Sequence, residues 1–213
     1  MTTPDDVTDT LISGDPYDQA ALSTRRFYPI GLRTKILVCI LTVASTAVIA
    51  PATYYRRDLI ATLEGESTII GAIEPGFSAL SLAGIAVTTL CASVLLRLLW
   101  LVETESVTVE EAITVIRVED AVMTVAISMG AIIAGAGVLI SLFGLLAPGL
   151  TAELYTSGVE IYAHASGLLA VDTRITSGIG FALSLGLLIL YLLITGERNR
   201  IRARERSRRP APS

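Results

Sequence analysis

The chain has 213 residues, 52% hydrophobic and only 17% charged, with mean hydropathy +0.65, net charge −4 and an isoelectric point of ≈ 5.1. A soluble domain carries about 25% charged residues, so this composition excludes an ordinary soluble globule and points to a membrane. Two cysteines inside apolar runs, Cys39 and Cys91, exclude a disulfide framework, and a single histidine, His164, speaks against a zinc site built by this chain alone.

Basic residues are almost all arginine, Lys35 being the only lysine, and the acids lie in the N-terminal segment and the loops. An acidic, lysine-poor exterior suits a salt-rich medium, in which carboxylates hold water and salt screens their repulsion, and suggests a halophilic, haloarchaeal origin. The alternative is a GC-rich genome that favours arginine, alanine and glycine codons.

Residues 1–34 begin acidic, with Asp5, Asp6, Asp9, Asp15 and Asp18, and turn basic and aromatic at Thr24-Arg25-Arg26-Phe27-Tyr28-Pro29. They are expected to form a mobile cytoplasmic tail with one short helix near Tyr17–Thr24. The arginine pair fits a twin-arginine export signal, but Pro29 breaks the apolar pair expected after it and further spans follow.

A bilayer core of ~30 Å needs ~20 apolar residues at 1.5 Å each. The first such run is about Ile36–Tyr54, in which Pro51 is expected to kink or end the helix. Tyr54, Tyr55, Arg56 and Arg57 mark the headgroup boundary. A loop with Glu64, Glu66 and Glu74 follows; its Thr68–Ile73 stretch is apolar enough to rest on the membrane, and Pro75-Gly76 breaks the chain.

The second span runs about Phe77–Leu99. Arg97 near its end, with Trp100 beside it, reads as an interfacial anchor. Thr108-Val109-Glu110-Glu111 matches a capping box, and Val109, Ile113 and Ile116 recur at helical spacing. One long helix is therefore predicted from near Val109 into the third span, about Ala121–Leu146, with Pro148-Gly149 stopping it.

The loop of residues 150–174 contains Leu154, Tyr155, Val159 and Tyr162, which suggest a short interfacial helix. The fourth span runs about Ile175–Ile194. After Gly196 come Arg198, Arg200, Arg202, Arg204, Arg206, Arg208 and Arg209, a third region (197–213) distinct from the membrane domain of residues 35–196.

The expected fold class is an all-α integral membrane protein, a four-helix bundle with a long third helix reaching into the cytoplasm and short interfacial helices. The arginines of the C-terminal region, with Arg25, Arg26, Arg33 and Lys35, put both ends on the cytoplasmic (or interior) side under the positive-inside rule. Arg56 and Arg57 then fall on the outer side, against the trend.

Two features carry functional expectations. Gly130, Ala134, Gly137, Ser141 and Gly144 form a small-residue seam on the third span, and Gly178, Ala182 and Gly186 form a shorter one on the fourth. Small residues let membrane helices approach closely, so these spans are expected to pack on each other or across an oligomer. The Arg-rich segment is expected to fix topology and to dock anionic lipid or an acidic partner, with nucleic acid unlikely.

Signatures of catalysis are not found. His164 and Asp172 are eight residues apart without a glycine-flanked serine elbow, and no phosphate loop occurs. The hydroxyls inside the spans, Thr42, Ser45, Thr46, Thr88, Thr89, Ser93, Ser128 and Ser184, are expected to bond their own helix carbonyls. In gross plan the chain is similar to small four-span membrane proteins of haloarchaea and their enveloped viruses, a likeness of composition and topology that assigns no residue roles.

The expected function is thus a non-enzymatic structural or scaffolding membrane protein of a cell or viral envelope, needing no cofactor. Its rivals are a small oligomeric channel or transporter and an accessory subunit of a membrane enzyme complex.

Overall fold

A computed structural model describes residues 16–55, 58, 76–104, 107–159 and 170–208, with residues 197–208 described by their backbone alone. Every regular element among them is helical. In chain order they are α1 (Pro16–Ser23), α2 (Leu32–Ser45), a 3₁₀ turn (Thr46–Val48), α3 (Ile49–Tyr55), α4 (Gly76–Thr104), α5 (Val109–Val125), a π turn (Ala126–Ala131), α6 (Ile132–Leu146), α7 (Pro148–Thr156) and α8 (Thr173–Arg208).

Four helical stretches are long and apolar enough to cross a membrane: Leu32–Tyr55, Gly76–Thr104, Val109–Leu146 and Thr173–Gly196. Each contains one of the predicted spans. The third has 38 residues, about 57 Å at 1.5 Å per residue, roughly twice the thickness of a hydrocarbon core. Its start is set by the capping box: the Glu111 N–H donates to Thr108 Oγ1, and the Thr108 N–H donates to Glu111 Oε2 at 2.8 Å.

The first long helix is interrupted at Thr46–Val48, just ahead of Pro51. Ser177 of α8 inserts its hydroxyl into the α2–α3 ladder. The Ala50 N–H donates to Ser177 Oγ at 2.8 Å, and Ser177 Oγ donates onward to the Thr46 carbonyl at 3.1 Å. A hydroxyl thus stands between the two groups that an α-helix would join directly, and an inserted side chain is a recognised cause of a helix break. Pro51, expected to kink or end the helix, contributes to the same break: it has no N–H to offer the Ala47 carbonyl, which lies in the 3₁₀ turn, and it falls in the first turn of α3, where proline is tolerated.

The third helix stops at Leu146, as expected ahead of Pro148-Gly149, with Ala147 out of the helical region at φ −130° and ψ 60°, and Pro148 is also the first residue of α7. Proline's fixed φ suits a first helical turn. Of the residues expected in the interfacial helix, Leu154 and Tyr155 lie in α7, Val159 lies beyond its end and Tyr162 lies outside the described residues. So do His164, Arg56, Arg57, Arg209, the loop acids Glu64, Glu66 and Glu74, and Thr68–Ile73.

α4 is the central helix, packing on α2, α6, α8 and the π turn. The main apolar core joins Ile36, Cys39 and Ile40 of α2 to Cys91, Ala92, Leu95 and Leu99 of α4, with Met123 and Leu187 closing it. The third and fourth long helices were expected to pack on each other or across an oligomer; within the chain they do not form the main contact. Instead α6 packs on α4 and α3, while α8 packs on α2, the 3₁₀ turn, α3 and α4. The reason lies in which face of α8 carries its buried hydroxyls. Thr173, Thr176, Ser177 and Ser184 are buried with Gly180, whereas Gly178, Ala182 and Gly186 lie on the opposite, exposed side.

Candidate functional site

The third-helix seam is a real close contact, and its partner is α4. Gly130, Ala134, Gly137, Ser141 and Gly144 are all buried. A Cβ on Gly84 of α4 would stand 2.6 Å from the Ala134 nitrogen and 2.9 Å from the Gly130 oxygen, and one on Gly130 or Gly137 would strike the Thr88 or Ser81 hydroxyl. Backbones this close require hydrogen at those positions. On α8 the glycine in tight contact is Gly180, facing Thr46, whereas a Cβ on Gly178 or Gly186 would meet nothing within 4 Å. Glycine count alone does not distinguish these positions. The signal that does is the neighbouring hydroxyls, since Thr176, Ser177, Gly180 and Ser184 share one face.

The π turn lies at this same contact. Gly130, which faces Thr88, lies within the widened turn Ala126–Ala131, and π turns of this kind are frequent at functional sites.

Directly before the third apolar run stands a charged cluster that no sequence motif brings together. Lys35 Nζ is 2.7 Å from Glu119 Oε1 and 2.7 Å from Asp120 Oδ1. The Lys35 and Glu119 side chains are 0% exposed and that of Asp120 is 14% exposed. Lys35 was read from the sequence as one of the basic residues ahead of the first span that set its orientation. It is wholly enclosed, because Lys35 directly precedes the first apolar run and Glu119 and Asp120 directly precede the third. Two helices running in the same direction bring those positions to one level. Matching depth and opposite charge were present in the sequence as a signal.

Residues 16–28 cover this cluster. Ala20 of α1 is buried against Ala112 and Ile116 of α5. The Tyr17 hydroxyl donates to Glu119 Oε2 at 2.6 Å, and the Phe27 N–H donates to Asp120 Oδ2 at 2.7 Å, with the Tyr28 N–H joining it. Arg26 lies over the Tyr17 ring, 5.4 Å from its centroid, and Lys35 lies 6.0 Å from the Tyr28 ring centroid. Burial, then the Glu119 carboxylate, hold the Tyr17 phenol well above its usual range, while Arg26 opposes them. Beside the cluster the Arg33 guanidinium pairs with Glu103 at 2.7 Å.

A cleft of ≈ 360 Å³ opens at this end, walled by Tyr17 and Asp18 on one side and by Leu32, Arg33, Val102 and Glu103 on the other. Taken together, Lys35, Glu119, Asp120 and Arg26 sum to zero charge. The arrangement neutralises buried ions and ties the segment ahead of α2 to the third helix. Buried ion clusters of this kind contribute more to a unique arrangement than to net stability.

The expected anchors are placed as follows. Arg97 is exposed and lies 4.2 Å from the Trp100 ring centroid, a cation–π pair. Tyr54 is half-buried, with Arg174 4.1 Å from its ring centroid and its hydroxyl 3.4 Å from Asp172; Tyr55 is exposed. Within the candidate spans Ser81, Thr88, Ser93, Ser128 and Ser141 each donate to a carbonyl four residues back. α8 continues beyond Gly196 as helix through Arg208, with Arg198, Arg200, Arg202, Arg204, Arg206 and Arg208 on its backbone.

No protein-family model, curated protein or solved structure matches this chain. Its functional reading therefore rests on its own geometry.

Proposed function

We propose that the protein is a non-enzymatic structural or scaffolding component of a cell-envelope or viral-envelope membrane. In this reading it is a four-helix bundle that assembles through α8 and docks an acidic partner or anionic lipid through its Arg-rich end. An even number of spans returns both ends to one side, and the arginines favour the cytoplasmic or interior side.

The observation that carries this reading is α8. Only 17% of its apolar stretch is buried against the rest of the chain, compared with 44% for each of the first two long helices. Its Gly178, Ala182 and Gly186 are exposed at four-residue spacing, the pattern that lets a second helix approach closely. The same helix runs without a break into the arginine segment, so assembly and docking would share one rigid element about 54 Å long at 1.5 Å per residue. The enclosure of the only lysine leaves arginine as the basic residue of the surface, in keeping with a salt-rich interior.

The test is the native mass and composition of the protein extracted gently at its host's salt. Association with other proteins at fixed ratio, lost on truncation after Gly196, is the expected result. A closed ring of identical chains with solute flux in liposomes would favour the channel reading. Activity found only in a heteromer would favour the enzyme-subunit reading. Gly178→Leu with Gly186→Leu is expected to disperse any α8-mediated assembly while leaving the monomer folded.

A further inference from the structure

We propose that residues 16–28 are a strap that opens and closes as a unit over Lys35, Glu119 and Asp120, without unfolding of the long helices.

The two sides of the contact belong to differently anchored parts of the chain. Lys35 sits on α2, and Glu119 and Asp120 sit on α5, so the cradle stays in place when the strap leaves. The strap has little to hold it on its own. α1 has eight residues, fewer than the ~12–15 at which an isolated helix becomes even marginal in water. Its fully buried apolar residue is Ala20, lying on Ala112 and Ile116. Half-buried Tyr17 and Ala21 add to that contact and Tyr28 packs on the main core, while the polar ties are the Tyr17 hydroxyl on Glu119 and the Phe27 N–H on Asp120. Such short segments occupy the low-stability end of a protein's local openings.

The join to α2 suits a hinge. It runs through Pro29, Ile30 and Gly31. Gly31 adopts extended backbone, with φ −66° and ψ 151°, and a Cβ there would meet nothing within 4 Å. The closed state also leaves one group only partly satisfied: Arg26 bonds the Tyr17 side chain with part of its guanidinium. Nε and Nη2 of Arg26, the two nitrogens of its side-on fork, are covered and have no hydrogen-bond acceptor among the described residues. A covered, unpaired donor weakens closure.

Opening would do two things. It would remove one wall of the ≈ 360 Å³ cleft, that formed by Tyr17 and Asp18. It would also uncover a cradle of one ammonium between two carboxylates, net charge −1. The strap meets that cradle with the Tyr17 hydroxyl and the Phe27 N–H as donors.

The chain carries its own reporters. Lys35 is the only lysine, and Cys39 and Cys91 are the only cysteines, both buried in the core between α2 and α4. Full-length protein in nanodiscs is treated with an amine-acetylating reagent and a thiol-alkylating reagent together, and each site is read by peptide mass spectrometry. Lys35 is expected to react by a route that leaves both cysteines intact. Tyr17→Phe is expected to raise the Lys35 rate roughly tenfold or more, as for loss of a hydrogen bond to a charged group. Ala20→Asp, which places a charge beneath α1, should raise it further, again with the cysteine rates unchanged. Lys35 reacting only in step with Cys39 and Cys91, or at a rate that neither variant alters, would overturn the proposal.

Discussion

Replacing Lys35 by methionine tests the reasoning about the charged cluster most directly. Methionine keeps most of the length and apolar stem but removes the ammonium. Glu119 then keeps the Tyr17 hydroxyl as its partner, and Asp120 keeps the N–H groups of Phe27 and Tyr28. Since Lys35 and Glu119 are 0% exposed, water cannot solvate the stranded carboxylate. Removing one member of a buried ion pair costs about 3–5 kcal/mol. For a chain of this size each kcal/mol shifts the melting temperature by about 2–4 °C, so Lys35→Met is expected to melt about 6–20 °C lower.

A second variant separates charge from packing. Lys35→Met combined with Glu119→Gln removes the uncompensated charge, and Asp120, partly exposed and hydrogen-bonded, tolerates its own. The double variant is expected to recover most of the loss, the two changes coupling by more than about 1 kcal/mol as contacting residues do. The assay is thermal or denaturant unfolding in one fixed detergent, followed through the fluorescence of Trp100, the only tryptophan. A single variant as stable as the wild type would refute the argument, as would a double variant no more stable than the single one.

Three further outcomes follow from the geometry. Gly84→Ala is expected to destabilise by about 1–3 kcal/mol, because the new methyl meets the backbone of Gly130 and Ala134. Gly186→Ala, in open space, is expected to be neutral or to stabilise by up to about 1 kcal/mol through helix propensity; parallel unfolding curves check both. Ser177→Ala should let the Ala50 N–H return to the Thr46 carbonyl or leave it unbonded, so a change in hydrogen exchange confined to residues near Ala50 is expected. The Tyr17 phenol, raised above its ordinary value of 10.0, is expected to be among the last tyrosines to ionise, and Tyr17→Phe should remove that step from the ultraviolet titration. The sign follows from the neutral form being favoured when folded. The strap's hold is full below about pH 10 and weakens as the pH rises above that value.

Much of the architecture was legible because it depends on local chemistry. A run of twenty apolar residues reads the same whatever packs beside it, and so the four long helices could be named from hydropathy. The capping box at Thr108 and the unbroken course from Val109 to Leu146 are also local, as is the short helix near Tyr17. Each depends on residues within a turn or two of one another.

The site was not legible in the same way. Lys35 meets Glu119 and Asp120 across more than eighty residues, and nothing near Lys35 in the chain distinguishes it from an ordinary flanking cation. The break in the first helix, ahead of the locally legible Pro51, also takes a serine 127 residues beyond Ala50, which no local pattern reveals. Composition marked Gly178, Ala182 and Gly186 as well as Gly130 and Gly137, but a glycine's use depends on the helix opposite it. Only tertiary packing decided that α4 covers one seam and that Gly180, not its neighbours, takes the close contact on α8. Hydropathy and caps are properties of a segment, whereas pairing, enclosure and close approach are properties of two, and one sequence specifies the second element only through the fold.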